Sequence, residues 1–109
     1  MSPFMKKLSA AGLTILVIAF VAAAQANKAG AELYKKSCAM CHGADGSGSN
    51  PMGQKMGVKD LKSPEVQKQT DAELTQMISK GKGKMPAYGE KLKPEQIKDL
   101  VTSIRELKK

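Results

Sequence analysis

The side chains best suited to chemistry stand together in one short run, Cys38-Ala39-Met40-Cys41-His42. Two cysteines three positions apart, with a histidine directly after the second, form the pattern C-x-x-C-H. In that pattern each thiol adds across one vinyl group of a haem, and the histidine is held where an imidazole nitrogen ligates the iron. A bare C-x-x-C would be ambiguous. Here Cys38 and Cys41 are the only cysteines and His42 is the only histidine, so a four-ligand zinc site of Cys and His cannot be assembled. A thioredoxin-like dithiol needs strand–helix flanks, and the neighbouring residues show none. The predicted chemistry is one covalently held haem c per chain. A dithiol or disulfide is the remaining alternative.

Iron needs a sixth ligand or an open site, and that choice separates a carrier from a catalyst. Past residue 26 the candidate thioethers are Met40, Met52, Met56, Met77 and Met85. Met40 lies between the two cysteines, on the wrong side. Met77 falls on an apolar helical stripe, where a methionine is usually core filler. Met52 and Met56 follow His42 closely, and the chain must still pass the haem edge to reach the opposite face. Met85 stands in Gly81-Lys82-Gly83-Lys84-Met85-Pro86-Ala87-Tyr88, a glycine- and proline-punctuated loop that can present one side chain stiffly. Met85 is therefore the expected sixth ligand, and a soft thioether would raise the potential. The open alternative is a loop methionine near an iron that binds water or another group.

The elements that must position these groups follow from pattern. Lys6 and Lys7, the apolar run from Leu8 to Ala24, and the small residues of Ala24-Gln25-Ala26 read as a secretory leader over residues 1–26, cleaved after Ala26. An uncleaved N-terminal anchor is the alternative. Residues 27–109 then form one domain. Its aromatics are only Tyr34 and Tyr88, so a porphyrin would supply apolar volume the chain lacks, and the haem-free chain is expected to be largely unfolded. Ala29 to Cys38 reads as a helix with Leu33 and Tyr34 inward. Gly43 to about Leu61 reads as a loop. Thr70-Asp71-Ala72-Glu73 is a capping box opening a second helix, with Leu74, Met77 and Ile78 as its stripe and Gly81 as its stop. Pro94 opens the last helix, where Ile97, Leu100, Val101, Ile104 and Leu107 recur on one face. Nothing alternates with period two. The expected fold is all-α, three to four helices around one haem.

The run Gly30-x-x-Leu33-Tyr34-x-x-x-Cys38-x-x-Cys41-His42-Gly43, the later Gly83-x-Met85-Pro86 and the closing amphipathic helix resemble the class I c-type cytochromes, the small bacterial monohaem c6/c551/c552 kind. The resemblance spans essentially all of residues 27–109. It implies His42 on one face of the haem and Met85 on the other, and Gly30 and Tyr34 at the crossing of the first and last helices. Two departures stand out. Ser103 occupies a position where the family often has an aromatic residue. The family loop after the haem motif often carries a proline whose carbonyl accepts a hydrogen bond from the ligand histidine, and Pro51 is the only candidate; otherwise Pro51 is a turn residue. Tyr88 either reaches a haem propionate or only covers the ring edge.

Charge bears on partners. The chain carries 18 Lys and Arg against 10 Asp and Glu, a formal +8, and loss of Lys6 and Lys7 with the leader leaves it basic. Lys80, Lys82, Lys84, Lys91 and Lys93 flank Met85, so redox proteins with acidic docking surfaces, such as cytochrome reductase or oxidase complexes, are the expected partners. The alternative is an ordinary solvated surface. The same lysines allow weak contact with anionic membrane surfaces. Nucleic acid is not expected, since stacking aromatics are nearly absent. The reading is a periplasmic, monomeric electron carrier and not an enzyme. The alternatives are a haem enzyme or gas sensor with an open sixth site, and a dedicated haem subunit of one oxidoreductase.

Overall fold

The computed structural model describes residues 27–108. The leader expected over 1–26, its cleavage site and Lys109 lie outside the described residues. Helix α1 covers 27–37, and α2 (Ala39–His42), α3 (Pro51–Met56), α4 (Pro64–Gln67), α5 (Asp71–Lys80) and α6 (Pro94–Leu107) follow. Among the described residues there is no strand, only an isolated antiparallel bridge between Lys82 and Met85. No helix among them is long and apolar enough to cross a membrane.

Three long helices build the frame. Helix α5 starts where the sequence predicts. Thr70 Oγ1 accepts from the Glu73 N–H at 3.1 Å and Glu73 reaches back to the Thr70 N–H, so two orphan donors of the first turn are satisfied. Its buried stripe is Leu74 and Ile78; Met77 is only half-buried. Helix α6 opens at Pro94, with Gln96 accepting from the Lys93 N–H at 2.8 Å. Its buried face is Ile97, Leu100, Val101 and Ile104. Leu100 is 1% exposed, and burying such a side chain contributes about 2 kcal/mol. Helices α5 and α6 pack together, and with Tyr34 and Val66 they form one apolar cluster.

Helix α1 crosses α6 at Gly30. A Cβ there would run into the Asp99 carbonyl and stand 3.4 Å from the Ser103 Cβ, so only glycine allows this approach. Ser103 is small enough to share the crossing. Tyr34, one turn along, is 5% exposed in the core, while Lys35 and Lys36 face water.

The stretch expected as loop from Gly43 to about Leu61 contains a helix. Pro51 occupies the first turn of α3, and Gly57, at φ 65°, ends it. Proline's fixed φ suits a first helical turn, a signal masked by the glycine and serine around it. Helix α4 is a further element that the sequence pattern does not mark. Ser63 caps it, accepting from the Val66 N–H at 3.3 Å. Arg105 on α6 then holds the turn after α4, donating to the carbonyls of Gln67 at 2.8 Å and Gln69 at 2.5 Å and to the Asp71 carboxylate at 2.8 Å.

Candidate functional site

The attachment run is a single helical turn. The His42 N–H donates to the Cys38 carbonyl at 3.0 Å. Residues three and four positions apart share one side of a helix, so Cys38, Cys41 and His42 are presented together. Both cysteines are unbonded and half-buried. Burial pushes the Cys38 thiol up to about 11, with the neighbouring Cys41 charge adding to the rise.

Several contacts hold this turn rigid. The Tyr34 hydroxyl donates to the Gly43 carbonyl at 2.6 Å, tying α1 to the residue after His42. Burial, then the charges of Cys38 and Asp45, push that hydroxyl up to about 12, so it stays a donor at any working pH. The Gly48 N–H donates to the His42 carbonyl at 2.7 Å. Asn50 directs its side-chain amide N–H to the Met40 carbonyl at 2.8 Å, although its position before α3 would suit an N-cap. The Asn50 Oδ1 is buried without a partner among the described residues. Helix α3 lies against α2 so closely that a Cβ on Gly53 would stand 2.5 Å from the Cys41 carbonyl.

His42 corrects the expectation for Pro51. Its Nδ1 lies 3.4 Å from the Lys59 carbonyl, a long hydrogen bond in which the carbonyl can only accept. Nδ1 therefore carries the proton and Nε2 keeps its lone pair for a metal. The Pro51 carbonyl is not the partner of His42 in this structure. Burial lowers the His42 pKa, and the Lys59 carbonyl partly opposes this. A neutral imidazole is the form that ligates. No sequence signal marks Lys59, since any residue offers a carbonyl. Its side chain pairs with Glu65 on the exposed surface, which adds little.

The Met85 loop is built from different contacts. Lys82 and Met85 exchange two backbone hydrogen bonds, 3.1 and 3.0 Å, closing a tight turn. At Gly81, φ is 68° and a Cβ would stand 2.5 Å from the Met85 carbonyl, so this hinge needs glycine. The Tyr88 N–H donates to the Ile78 carbonyl at 2.9 Å and the Gly89 N–H to Ser79 at 3.0 Å, fixing the loop to the end of α5. Met85 is half-buried and packs on the apolar cluster that Cys38 also touches. Of the other candidates, Met40 is 72% and Met52 36% exposed. Met56 and Met77 are half-buried, yet neither packs on that cluster.

Tyr88 does something the sequence did not suggest. Its hydroxyl donates to the Ser37 carbonyl at 3.0 Å, and Lys91 lies 5.6 Å above its ring. Burial raises the Tyr88 pKa, with the charges of Cys38 and Cys41 adding. The latter contributions vanish once the sulfurs are thioethers.

These residues fit a covalently held haem. Two unbonded thiols and an Nε2 donor leave one helical turn, and a thioether is presented from a separate loop onto the same apolar cluster. Among the described residues, no group of three His, Cys, Asp or Glu side chains gathers to hold a bare metal ion. An open groove of about 570 Å³ beside α5 is lined by residues that include Gln69, Gln76 and Met77; neither cysteine nor His42 borders it.

Comparison with known proteins agrees with this chemistry. The family described as cytochrome C oxidase, cbb3-type, subunit III matches residues 25–102. The cbb3-type cytochrome c oxidase subunit FixP of Azorhizobium caulinodans is 36% identical over 83 residues, 75% of this chain but 27% of that relative. This chain thus spans only about a quarter of it. Cytochrome c6 of Aphanizomenon flos-aquae is 34% identical over 80 residues, 71% of this chain and 85% of the relative. Among solved structures, the KustC0563 c-type cytochrome superposes with a TM-score of 0.67 at 35% identity, covering 73% of this chain and 98% of that one.

Proposed function

This chain belongs to the class I c-type cytochromes, and from that membership we propose that it is a periplasmic monohaem carrier of single electrons. As a member of that family it binds haem c covalently and takes part in electron transfer. In the proposed arrangement Cys38 and Cys41 would carry the two thioether links, and His42 Nε2 and the Met85 sulfur would ligate the iron. When bound, the haem supplies an iron that gains and loses one electron.

The chain's own residues would keep that exchange clean. The Lys59 carbonyl fixes the tautomer and orientation of His42. Tyr34, Gly48 and Asn50 hold the attachment turn, so little reorganises between oxidation states. With both ligands supplied by the chain, no open site would remain for substrate, which separates this reading from an enzyme or gas sensor. The observation that carries it is the packing of Cys38 and Met85 on one apolar cluster.

Partner choice follows from charge. Lys80, Lys82, Lys84, Lys91 and Lys93 are all exposed around the Met85 loop. We assign them to docking of acidic redox proteins, with an encounter rate that falls as salt rises. The domain acts as a monomer over residues 27–109, exported by a leader cleaved after Ala26. Of its two expected roles, Pro51 takes the turn role, opening α3.

A second reading, a dedicated subunit of one oxidase, draws support from the match to the cbb3-type subunit family. Reduction of the isolated protein by several unrelated donors would count against it. The primary test is the ferric spectrum of the matured protein. A low-spin haem with a sulfur-to-iron charge-transfer band is expected, and Met85→Ala should abolish the band while Met56→Ala leaves it. A high-spin wild-type haem overturns the carrier reading.

A further inference from the structure

We infer that the Tyr88 hydroxyl is a latch, holding the Met85 loop against the attachment segment through the Ser37 carbonyl and so setting how readily the sixth ligand leaves. The inference rests on the reading of Met85 as that ligand. Tyr88 is a positioning residue here, acting through the loop.

The geometry singles out this one bond. The loop's other anchors, Tyr88 N–H to Ile78 and Gly89 N–H to Ser79, both run to α5, and the Lys82–Met85 pair is internal to the turn. They shape the loop without joining it to the half of the molecule that carries the cysteines. Among the described residues, the Tyr88–Ser37 bond is the only side-chain hydrogen bond between 81–92 and 27–42. Its acceptor is also well placed. Ser37 ends α1, where carbonyls lack a donor from within the helix. The Cys38 N–H goes to Tyr34, and the N–H groups of Cys41 and His42 both go to Cys38, which leaves the Ser37 carbonyl for Tyr88. Ser37 precedes Cys38 directly. The latch therefore grips the polypeptide beside the first thioether position and, three residues before Tyr88, carries the thioether of Met85. A hydroxyl donating to Ser37 favours, of the two roles open to Tyr88 from sequence, the one that covers the ring edge.

Without the hydroxyl, the phenyl ring still packs on the core, but the Ser37 carbonyl loses its donor and the loop loses this side-chain tie across the site. Loop opening should become easier while the closed state keeps its ligands. The test uses the ferric, haem-loaded protein and imidazole at saturating concentration, where entry is limited by departure of Met85. Tyr88→Phe should raise the limiting rate about tenfold, the equivalent of one lost hydrogen bond, with the resting low-spin spectrum and its sulfur-to-iron band retained. Ile104→Val, which loosens the core on α6 by a comparable amount, should leave that rate within about a factor of two of wild type, because it removes no hydrogen bond of the loop. An unchanged rate in Tyr88→Phe, with the band present in wild type, overturns the latch alone. Equal acceleration by Ile104→Val also overturns it, since the effect would then be general loosening. A wild-type spectrum lacking the band overturns the ligand assignment and the latch with it.

Discussion

The two sides of the site are held in contrasting ways. The attachment side, from Cys38 to Gly53, is secured by contacts between near neighbours: one helical turn, the Gly48 N–H on the His42 carbonyl, and Asn50 on Met40. The Met85 side is a strap whose shape depends on a glycine hinge and whose position across the site depends on Tyr88 reaching Ser37. Local contacts form early and cost little loop entropy. Segments held by few buried contacts and by exposed hydrogen bonds are the first to open. The fixed side suits a ligand that never leaves, and the strap suits one whose departure is controlled.

Two glycine replacements should break the two sides separately, and they carry the largest expected effects. In Gly53→Ala the new methyl group meets backbone on two sides, the carbonyls of Gly48 and Cys41. Backbone cannot swing aside like a side chain, so α3 must separate from α2. A loss of about 3 kcal/mol is expected, read as a lower denaturation midpoint and a lower yield of haem-loaded protein. Gly81→Ala places a methyl group against the Met85 carbonyl at a left-handed φ, with a cost of about 2 kcal/mol or more. Here the haem should still attach, but the sulfur-to-iron band should weaken or vanish. If both variants lose haem attachment equally, the two sides are not independent and the contrast fails.

The same contrast explains what the sequence disclosed. The cysteines, His42, the Thr70 capping box, Gly81 and the buried face of α6 were legible because each rests on chemistry within a few positions. Gly30 at the helix crossing was reached only through family resemblance, since spacing alone leaves it a loop glycine. Helix α3 is hard to read because its glycine and serine neighbours outweigh the start signal of Pro51. The resemblance offers Pro51 as a candidate acceptor for His42, and the imidazole meets Lys59 instead, since a backbone carbonyl carries no mark of residue type. The partner of Tyr88 was out of reach for the same reason. Asn50 is the missed residue with a readable sign, an Asn directly before a helix-opening proline, yet its side chain turns away from capping and toward Met40.

Asn50 sharpens the comparison at a smaller scale. Asn50→Ala removes the donor to Met40, which costs about 1 kcal/mol. It also removes the buried, unpartnered Oδ1, whose burial was itself unfavourable. The net loss of stability should therefore fall below about 1 kcal/mol. Asn50→Asp discriminates. It keeps the shape, replaces the donor by a second acceptor facing the Met40 carbonyl, and buries charge, so it should destabilise more than alanine. Chemical denaturation of the three haem-loaded proteins gives the order. Alanine falling below aspartate would show that the shape of Asn50, and not its N–H, holds the attachment turn.

The smallest effect concerns pH and lies at the outer edge of the attachment side. The Ser47 N–H and hydroxyl donate to the Asp45 carboxylate at 3.0 and 2.7 Å. These bonds, more than the charge of Lys62, hold the Asp45 pKa below its ordinary 3.8. A carboxyl lowered in the folded state contributes stability that is fully present above its unfolded value and is lost as pH falls through the folded one. Asp45 should thus leave the protein unaffected near neutrality and weaken it only below about pH 4. Because the carboxylate is fully exposed, the loss should be small, and it should shrink further in high salt only by the share owed to Lys62. Asp45→Asn should flatten this acid limb of the stability curve while leaving the neutral plateau and the ferric spectrum in place. An acid limb of unchanged slope in that variant would mean that the Ser47 contacts are equally strong in the unfolded chain, and that the loop around the attachment turn draws its order from Gly48, Asn50 and Gly53 instead.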